Sequence, residues 1–253
     1  MTADAAVDVA RYLARIGLPD PGDPSVASLE RLQRAHLTAV PFENLDVYAG
    51  RGVATELDWS YPKVVDRNRG GWCFELNGTF AALLAALGYR VTRLGAAVLL
   101  EGDTDREGHL TVRVDLDRPY LVDVGFGDSF FRPLPLDAPG PHDGGKALYR
   151  FHSIDGRTTL IELGPEGPHA QYRFTDRPRA LSDFSSESTR LQTDPSLHWR
   201  AGRFATRLLG GGPDRVTLLE DRLKLRHAGV WTEQAVAPGE WAATLDRWFA
   251  LEP

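Results

Sequence analysis

Apolar residues change their period at Gly88, and that change decides the fold class. Before it they recur at helical spacing: Val9, Tyr12, Leu13 and Ile16 precede Gly17, and Leu29, Leu32 and His36 follow an N-cap at Ser25. A third helix is expected near Pro62 and a fourth from Cys73, with Leu76, Phe80, Leu83, Leu84 and Leu87 on its apolar side and Gly88 as its stop. After Gly88 the texture is that of strands. Residues 89–100, 110–116 and 120–124 are rich in Val and Leu and are broken by polar turns such as Asp117-Arg118-Pro119. Asp155-Gly156 predicts a hairpin between residues 148–154 and 158–163, and the Pro/Gly cluster from Pro133 to Gly145 reads as a surface loop. The last third is mixed: Ser182 caps a short helix to about Arg190, a hairpin turns at Glu220-Asp221, and Pro238 opens a closing helix carrying Trp241, Leu245, Trp248 and Leu251. Helices, then strands, then a mixed tail argue α+β, with an antiparallel sheet or small barrel in the middle, rather than a βαβ sheet.

With 253 residues, 42% of them hydrophobic, the chain can bury a core without staples. Its single cysteine excludes an internal disulfide and any multi-cysteine metal site, which suits a reducing cytoplasm. No metal is expected. The first seventeen residues lack a charged leader followed by an apolar run, and no stretch approaches the roughly 18 to 20 apolar residues of a membrane span, so neither export nor a membrane is expected. A formal net charge of -6 opposes binding to a polyphosphate backbone, and no nucleic-acid partner is expected. The arginine-dense stretch through Arg200, Arg203, Arg207 and Arg215 reads as scattered solvated side chains, with a cofactor phosphate as its other use.

The chemistry centres on Arg69-Gly70-Gly71-Trp72-Cys73-Phe74-Glu75-Leu76-Asn77, where a thiol stands at the end of a glycine loop and the start of a helix. Unpaired N–H groups and the positive helix end favour thiolate, and a nucleophile at neutral pH follows. A thiolate needs an imidazole to move its proton, and His109 stands at the mouth of a strand behind the polar loop 101–108. Asp123 interrupts the apolar run Tyr120-Leu121-Val122-Asp123-Val124, where a buried carboxylate requires a donor. Strands 110–116 and 120–124 read as antiparallel neighbours, which sets His109 and Asp123 near one end of the ladder. Cys73, His109 and Asp123 are therefore the expected catalytic residues, in the arrangement a cysteine-type acyl transfer site requires.

Three segments, Pro41-Phe42-Glu43-Asn44-Leu45-Asp46, the Cys73 block above, and Asp123-Val124-Gly125-Phe126-Gly127, resemble in this order the signature blocks of arylamine N-acetyltransferases. The resemblance is densest from Leu29 to Gly127 and faint beyond Phe174. It implies a helical bundle over residues 1–88 carrying the nucleophile, a β-barrel over 89–180 carrying His109 and Asp123, and an α/β lid over 181–253, around a cysteine-protease-like core. It also implies acetyl-coenzyme A as donor, an arylamine, arylhydroxylamine or hydrazine as acceptor, and a ping-pong reaction through a Cys73 thioester. By the same resemblance Phe42, Phe126 and Phe204 line the acceptor pocket, Gly125 and Gly127 lie along the cofactor chain, and the Cys73 N–H is an oxyanion donor. Glu43 and Arg69, charged residues in apolar or glycine-rich blocks, read as a buried ion pair supporting the nucleophile loop, and Asn44 and Glu75 as partners of nearby backbone.

Asp128 stands where the family commonly has a further glycine, and a charged side chain there opposes close passage of a cofactor. Three other readings keep the site or the fold. A related amide synthase would close macrolactams of the ansamycin type from an acyl group on a carrier protein. A thiol protease of papain or transglutaminase type would need an open peptide groove. A binding module would keep the fold without the reaction.

Overall fold

The computed structural model describes residues 7–100 and 102–253. Residues 1–6 of the stretch read for an export leader, and Glu101 of the polar loop, lie outside the described residues.

The helices Val9–Arg15 and Val26–Ala39 open the chain, the second capped by Ser25, whose hydroxyl accepts from the Ser28 N–H at 3.2 Å. The third helix begins earlier than expected, at Leu57. It continues through Pro62 as a wider turn to Asp66, because Pro62 supplies no N–H and loosens the ladder. The helix Cys73–Ala86 ends at Gly88, which takes φ +91. It differs from the amphipathic helix expected: every residue from Cys73 to Leu84 is buried. The N-terminal helices, the strand His109–Asp115 and the turn Leu181–Phe184 surround it, and Phe74, Phe80, Leu76 and Leu84 share one core cluster with Leu110, Val112 and Phe184. Each such side chain contributes about 1.5–3 kcal/mol, so the segment carrying the thiol is among the most firmly packed parts of the molecule.

Eight antiparallel strands follow in the order Leu134–Pro135, Pro119–Val122, His109–Asp115, Arg90–Val98, Gly167–Pro178, Arg157–Gly164, Leu148–Ile154 and His142–Asp143. The two ends of this sheet approach where the Phe131 N–H donates to the Gly144 carbonyl at 2.9 Å, which nearly closes a barrel. The Asp155-Gly156 turn takes positive φ at both residues, as a two-residue hairpin demands. The segment 133–145 is a loop interrupted only by two short edge strands.

A second, five-stranded sheet runs Phe42–Glu43, Ala205–Leu208, Arg215–Leu218, Arg222–His227, Val230–Ala235. Its first strand comes from the helical region. Phe42 pairs with Thr206 and also bridges Gly71, so one short segment joins the nucleophile loop to the C-terminal sheet. The expected hairpin at Glu220-Asp221 is present, and the closing helix Trp241–Phe249 covers this sheet with Trp241 and Leu245 fully buried.

Three arginines read as solvated are not. Arg203 pairs with Glu220, Arg207 donates to the carbonyls of Trp248 and Thr38, and Arg215 is buried against Asp128 and Thr206. Sequence spacing shows where cations fall along the chain, and the carboxylates and carbonyls that take them come from distant segments.

Candidate active site

The thiol of Cys73 sits at the first residue of its helix, 3.8 Å from the Gly108 carbonyl and 95% shielded from solvent. The register Val112↔Val122 brings His109 and Asp123 to one end of their strand pair, where His109 Nε2 donates to Asp123 Oδ2 at 2.7 Å. With Nε2 taken, Nδ1 is the ring nitrogen left to exchange a proton with the Cys73 side chain, which lines the same cleft. Burial pulls the imidazole pKa down, but the Asp123 carboxylate, its hydrogen bond and the Cys73 sulfur outweigh it and raise His109 from the ordinary 6.5 to about 10. Burial likewise pushes the Asp123 carboxyl up, and the His109 charge, with donors from His109, Asn77 and Gly125, holds it below the usual carboxylate range.

Asp123 is held at both oxygens. Asn77 Nδ2 and the Gly125 N–H donate to Oδ1 at 2.8 and 2.9 Å, while Tyr172 Oη donates to Oδ2 at 3.1 Å. Asn77 also takes the Val124 N–H and donates to the Leu110 carbonyl, so one helix residue fixes the strand ends that carry both triad partners. Neither Asn77 nor Tyr172 was assigned this role from sequence. Asn77 had a signal, a polar side chain one turn after the thiol on the same helix face.

Beneath the nucleophile loop lies an ion network. Glu43 and Arg69, expected as its pair, are 3.8 Å apart, and Arg69 is nearer to Asp46, at 3.4 Å. The buried cation is Lys63, 2.9 Å from Glu75 and 2.8 Å from Asp46. Burial disfavours its charge, but Glu75, Glu43 and Asp46 reverse that and keep the ammonium protonated. Glu75 in turn accepts the Trp72 N–H at 3.1 Å, and Glu43 accepts the Leu45 N–H at 2.6 Å. Glu75 thus occupies the Trp72 N–H, and the Cys73 N–H is the next donor at the helix start.

A cleft of about 230 Å³ opens over the thiol. Phe42, Phe126, Leu197 and Trp199 supply apolar walls, and Phe126 meets the His109 ring edge-on at 5.2 Å. Phe204 does not line it. Trp199 does, with Phe204 packed behind at 6.0 Å between centroids. Asn44 sets this wall: its Nδ2 donates to the carbonyls of Trp199 and Gly202 at 2.8 Å, and its Oδ1 takes the Phe204 N–H at 2.8 Å.

Gly125 lines the cleft and Gly127 does not. A Cβ on Gly125 would lie 2.7 Å from the Cys73 Cα, so packing against the nucleophile already demands glycine there; Gly127 has φ +89 and open contacts with Phe42. Asp128 presents no unpaired charge to a cofactor. Arg215, Arg226 and Lys146 stand 3.0, 3.2 and 3.3 Å from its carboxylate, overcome the effect of burial and hold its pKa down, tying the barrel to the second sheet. Among the described residues no cluster of His, Cys, Asp and Glu is arranged to hold a metal ion, and no helix is long and apolar enough to cross a membrane.

A buried thiol in one cleft with an imidazole that a carboxylate holds, on helices joined to an antiparallel barrel, is the arrangement of a cysteine-dependent acyl-transfer enzyme. A family model described as N-acetyltransferase matches residues 25–252. The arylamine N-acetyltransferase of Mycolicibacterium smegmatis is 35% identical over 78% of this chain and 75% of its own length. Among solved structures, the arylamine N-acetyltransferase of Salmonella typhimurium superposes with a TM-score of 0.91 at 28% identity, over 99% of this chain and 92% of the other. The Mycobacterium marinum enzyme in complex with CoA does so with a TM-score of 0.88 at 30% identity, over 96% and 92%. This chain belongs to the arylamine N-acetyltransferase family.

Proposed function

We propose that the protein moves an acetyl group from acetyl-coenzyme A to the nitrogen of an arylamine, arylhydroxylamine or arylhydrazine, in two half-reactions through a thioester on Cys73. The observation that carries the reading is His109, hydrogen-bonded to Asp123 and lining, with the Cys73 thiol, one largely apolar cleft, where both neighbours raise its pKa.

In the first half-reaction the Cys73 sulfur attacks the thioester carbonyl, the Cys73 N–H receives the developing oxyanion, and the carbon–sulfur bond to coenzyme A breaks. The proton on His109 goes to the departing thiolate. In the second, the amine nitrogen attacks the acetyl-cysteine carbonyl, His109 takes the amine proton, and the Cys73 thiolate leaves, restoring the ion pair. Asp123 keeps Nε2 protonated throughout, so Nδ1 is the atom that exchanges the proton. The cleft exceeds the roughly 150 Å³ of an apolar cavity that accepts benzene, which suits one aromatic ring beside the thioester. A reducing cytoplasm is the compartment that suits a reaction dependent on a free thiol.

Intact mass spectrometry after mixing with acetyl-coenzyme A tests this. One acetyl adduct is expected on the wild type and none on Cys73→Ala, and an arylamine should then discharge the adduct with formation of the N-acetyl product. An adduct that survives on Cys73→Ala, or a wild type that stays bare, overturns the assignment.

A further inference from the structure

Residues 103–108, the loop leading into His109, alternate in what they touch. Asp103 pairs with Arg173, Asp105 with Arg157 and Arg173, and Glu107 with Arg179, all arginines of the barrel or the segment leaving it. Thr104, Arg106 and Gly108 line the cleft. With the three acidic residues anchored on the barrel, the residues between them, Arg106 included, are left on the cleft side. Two further bonds hold it there: the Arg106 N–H donates to Thr104 Oγ1 at 3.2 Å, and its carbonyl accepts the Gly108 N–H at 2.8 Å. Gly108, two residues after Arg106, in turn places its own carbonyl 3.8 Å from the Cys73 sulfur.

The opposite rim is the helix Ser185–Thr193, with Glu187, Arg190 and Leu191 on the cleft. Arg190 is occupied: its Nε and Nη2 fork onto Glu187 at 3.0 and 2.5 Å, and its Nη1 lies 3.7 Å from Asp194. Arg106 is not. Its one ion pair among the described residues is a 3.8 Å approach to the Glu187 carboxylate that Arg190 already holds, and its side chain is 67% exposed. A guanidinium offers five N–H donors in a fork matched to oxyacid groups, and this one stands at the rim of a cleft whose walls are mainly apolar.

We propose that Arg106 binds an oxyanion group of a substrate in the cleft, either a carboxylate on the aromatic acceptor or a phosphate of the donor. The proposal rests on the acetyl-transfer reading and names a recognition element for it. An ionic fork at the rim of this cleft contributes about tenfold in kcat/KM, or about 1.4 kcal/mol, and neutral substrates do not use it.

The test compares wild type with Arg106→Gln on two matched pairs. For the acceptor, 4-aminobenzoate is set against its methyl ester, both with the same donor. For the donor, acetyl-coenzyme A is set against p-nitrophenyl acetate, which carries no phosphate, by following Cys73 acetylation alone. The expected result is a loss of roughly 5- to 20-fold for the anionic member of one pair, with its neutral twin within about twofold, and a smaller loss at high salt. A loss in the acceptor pair assigns the carboxylate, and a loss in the donor pair assigns the phosphate. Equal change within both pairs, or no change in either, overturns the proposal. Failure of p-nitrophenyl acetate to acetylate wild-type Cys73 would instead count against the acetyl-transfer reading.

Discussion

Tyr172 and His109 bond the same oxygen of Asp123, at 3.1 and 2.7 Å, from neighbouring positions inside the barrel. Burial and the adjacent carboxylate push the Tyr172 hydroxyl well above its ordinary pKa, so it stays a donor at any working pH. Tyr172→Phe removes one donor from a charge that has few alternatives. We expect kcat/KM to fall by about 5- to 30-fold, the equivalent of about 1–2 kcal/mol for a hydrogen bond to a charged group. The acid limb of the rate profile should move to higher pH, since the carboxylate loses stabilisation. A rate profile superposable on the wild type would show that Tyr172 only packs.

Asn77 serves three buried partners, the Asp123 carboxylate, the Val124 N–H and the Leu110 carbonyl. Asn77→Ala leaves the Val124 N–H without its acceptor and should cost about 3 kcal/mol in urea unfolding, along with most of the acetylation rate. Asn77→Asp keeps the shape but sets a second carboxylate beside Asp123, so it should be less active than the alanine variant. Similar activity in the two would locate the effect in packing.

The His109–Asp123 pair gives stability a defined pH window. His109 is raised from 6.5 to about 10, so its contribution is complete below 6.5 and fades as pH rises towards 10; Asp123 is lowered, so its contribution is complete above 3.8 and fades as pH falls below it. The difference in unfolding free energy between wild type and His109→Gln should therefore be greatest between these two ordinary values and shrink steadily above neutrality. Chemical denaturation at a series of pH values measures it, and a difference that grows from pH 7 to 10 would contradict the pairing.

His36 acts in the opposite sense. It is fully buried, takes a hydrogen bond at Nδ1 from Tyr12 at 3.0 Å, and has no partner at Nε2 among the described residues; burial and Arg15 lower its pKa to about 3. It is neutral in the fold and gains a proton on unfolding below 6.5, so stability falls as pH drops from there towards 3. His36→Gln should flatten that decline even if it lowers stability at pH 7. An unchanged acid slope would assign the decline to other groups.

Some of this was readable in the sequence and some was not. The thiol at a helix start was readable because Gly70 and Gly71 allow the close packing that such a loop needs, and Asp123 because a carboxylate among apolar strand residues must find a donor. The helix–strand–mixed order was readable because periodicity is a local property. Trp199 was not. It reaches the cleft through a short turn without periodicity, positioned by Asn44 from the far end of the chain. Lys63 was missed because a lysine near Pro62 reads as a surface residue, and only the fold reveals three carboxylates around it. Tyr172 carried no local signal, since the carboxylate its hydroxyl meets lies 49 residues away in the chain.

The pairing of Phe42 with Thr206 has a consequence for how the molecule is made. Phe42 leaves the ribosome early, yet the strand that seats it comes more than half the chain later, and so does the tryptophan that completes its wall of the cleft. Contacts between such distant segments form late. A nascent chain therefore carries all three reactive side chains well before it has an enclosed place to use them, and competence arrives together with the final quarter of the polypeptide.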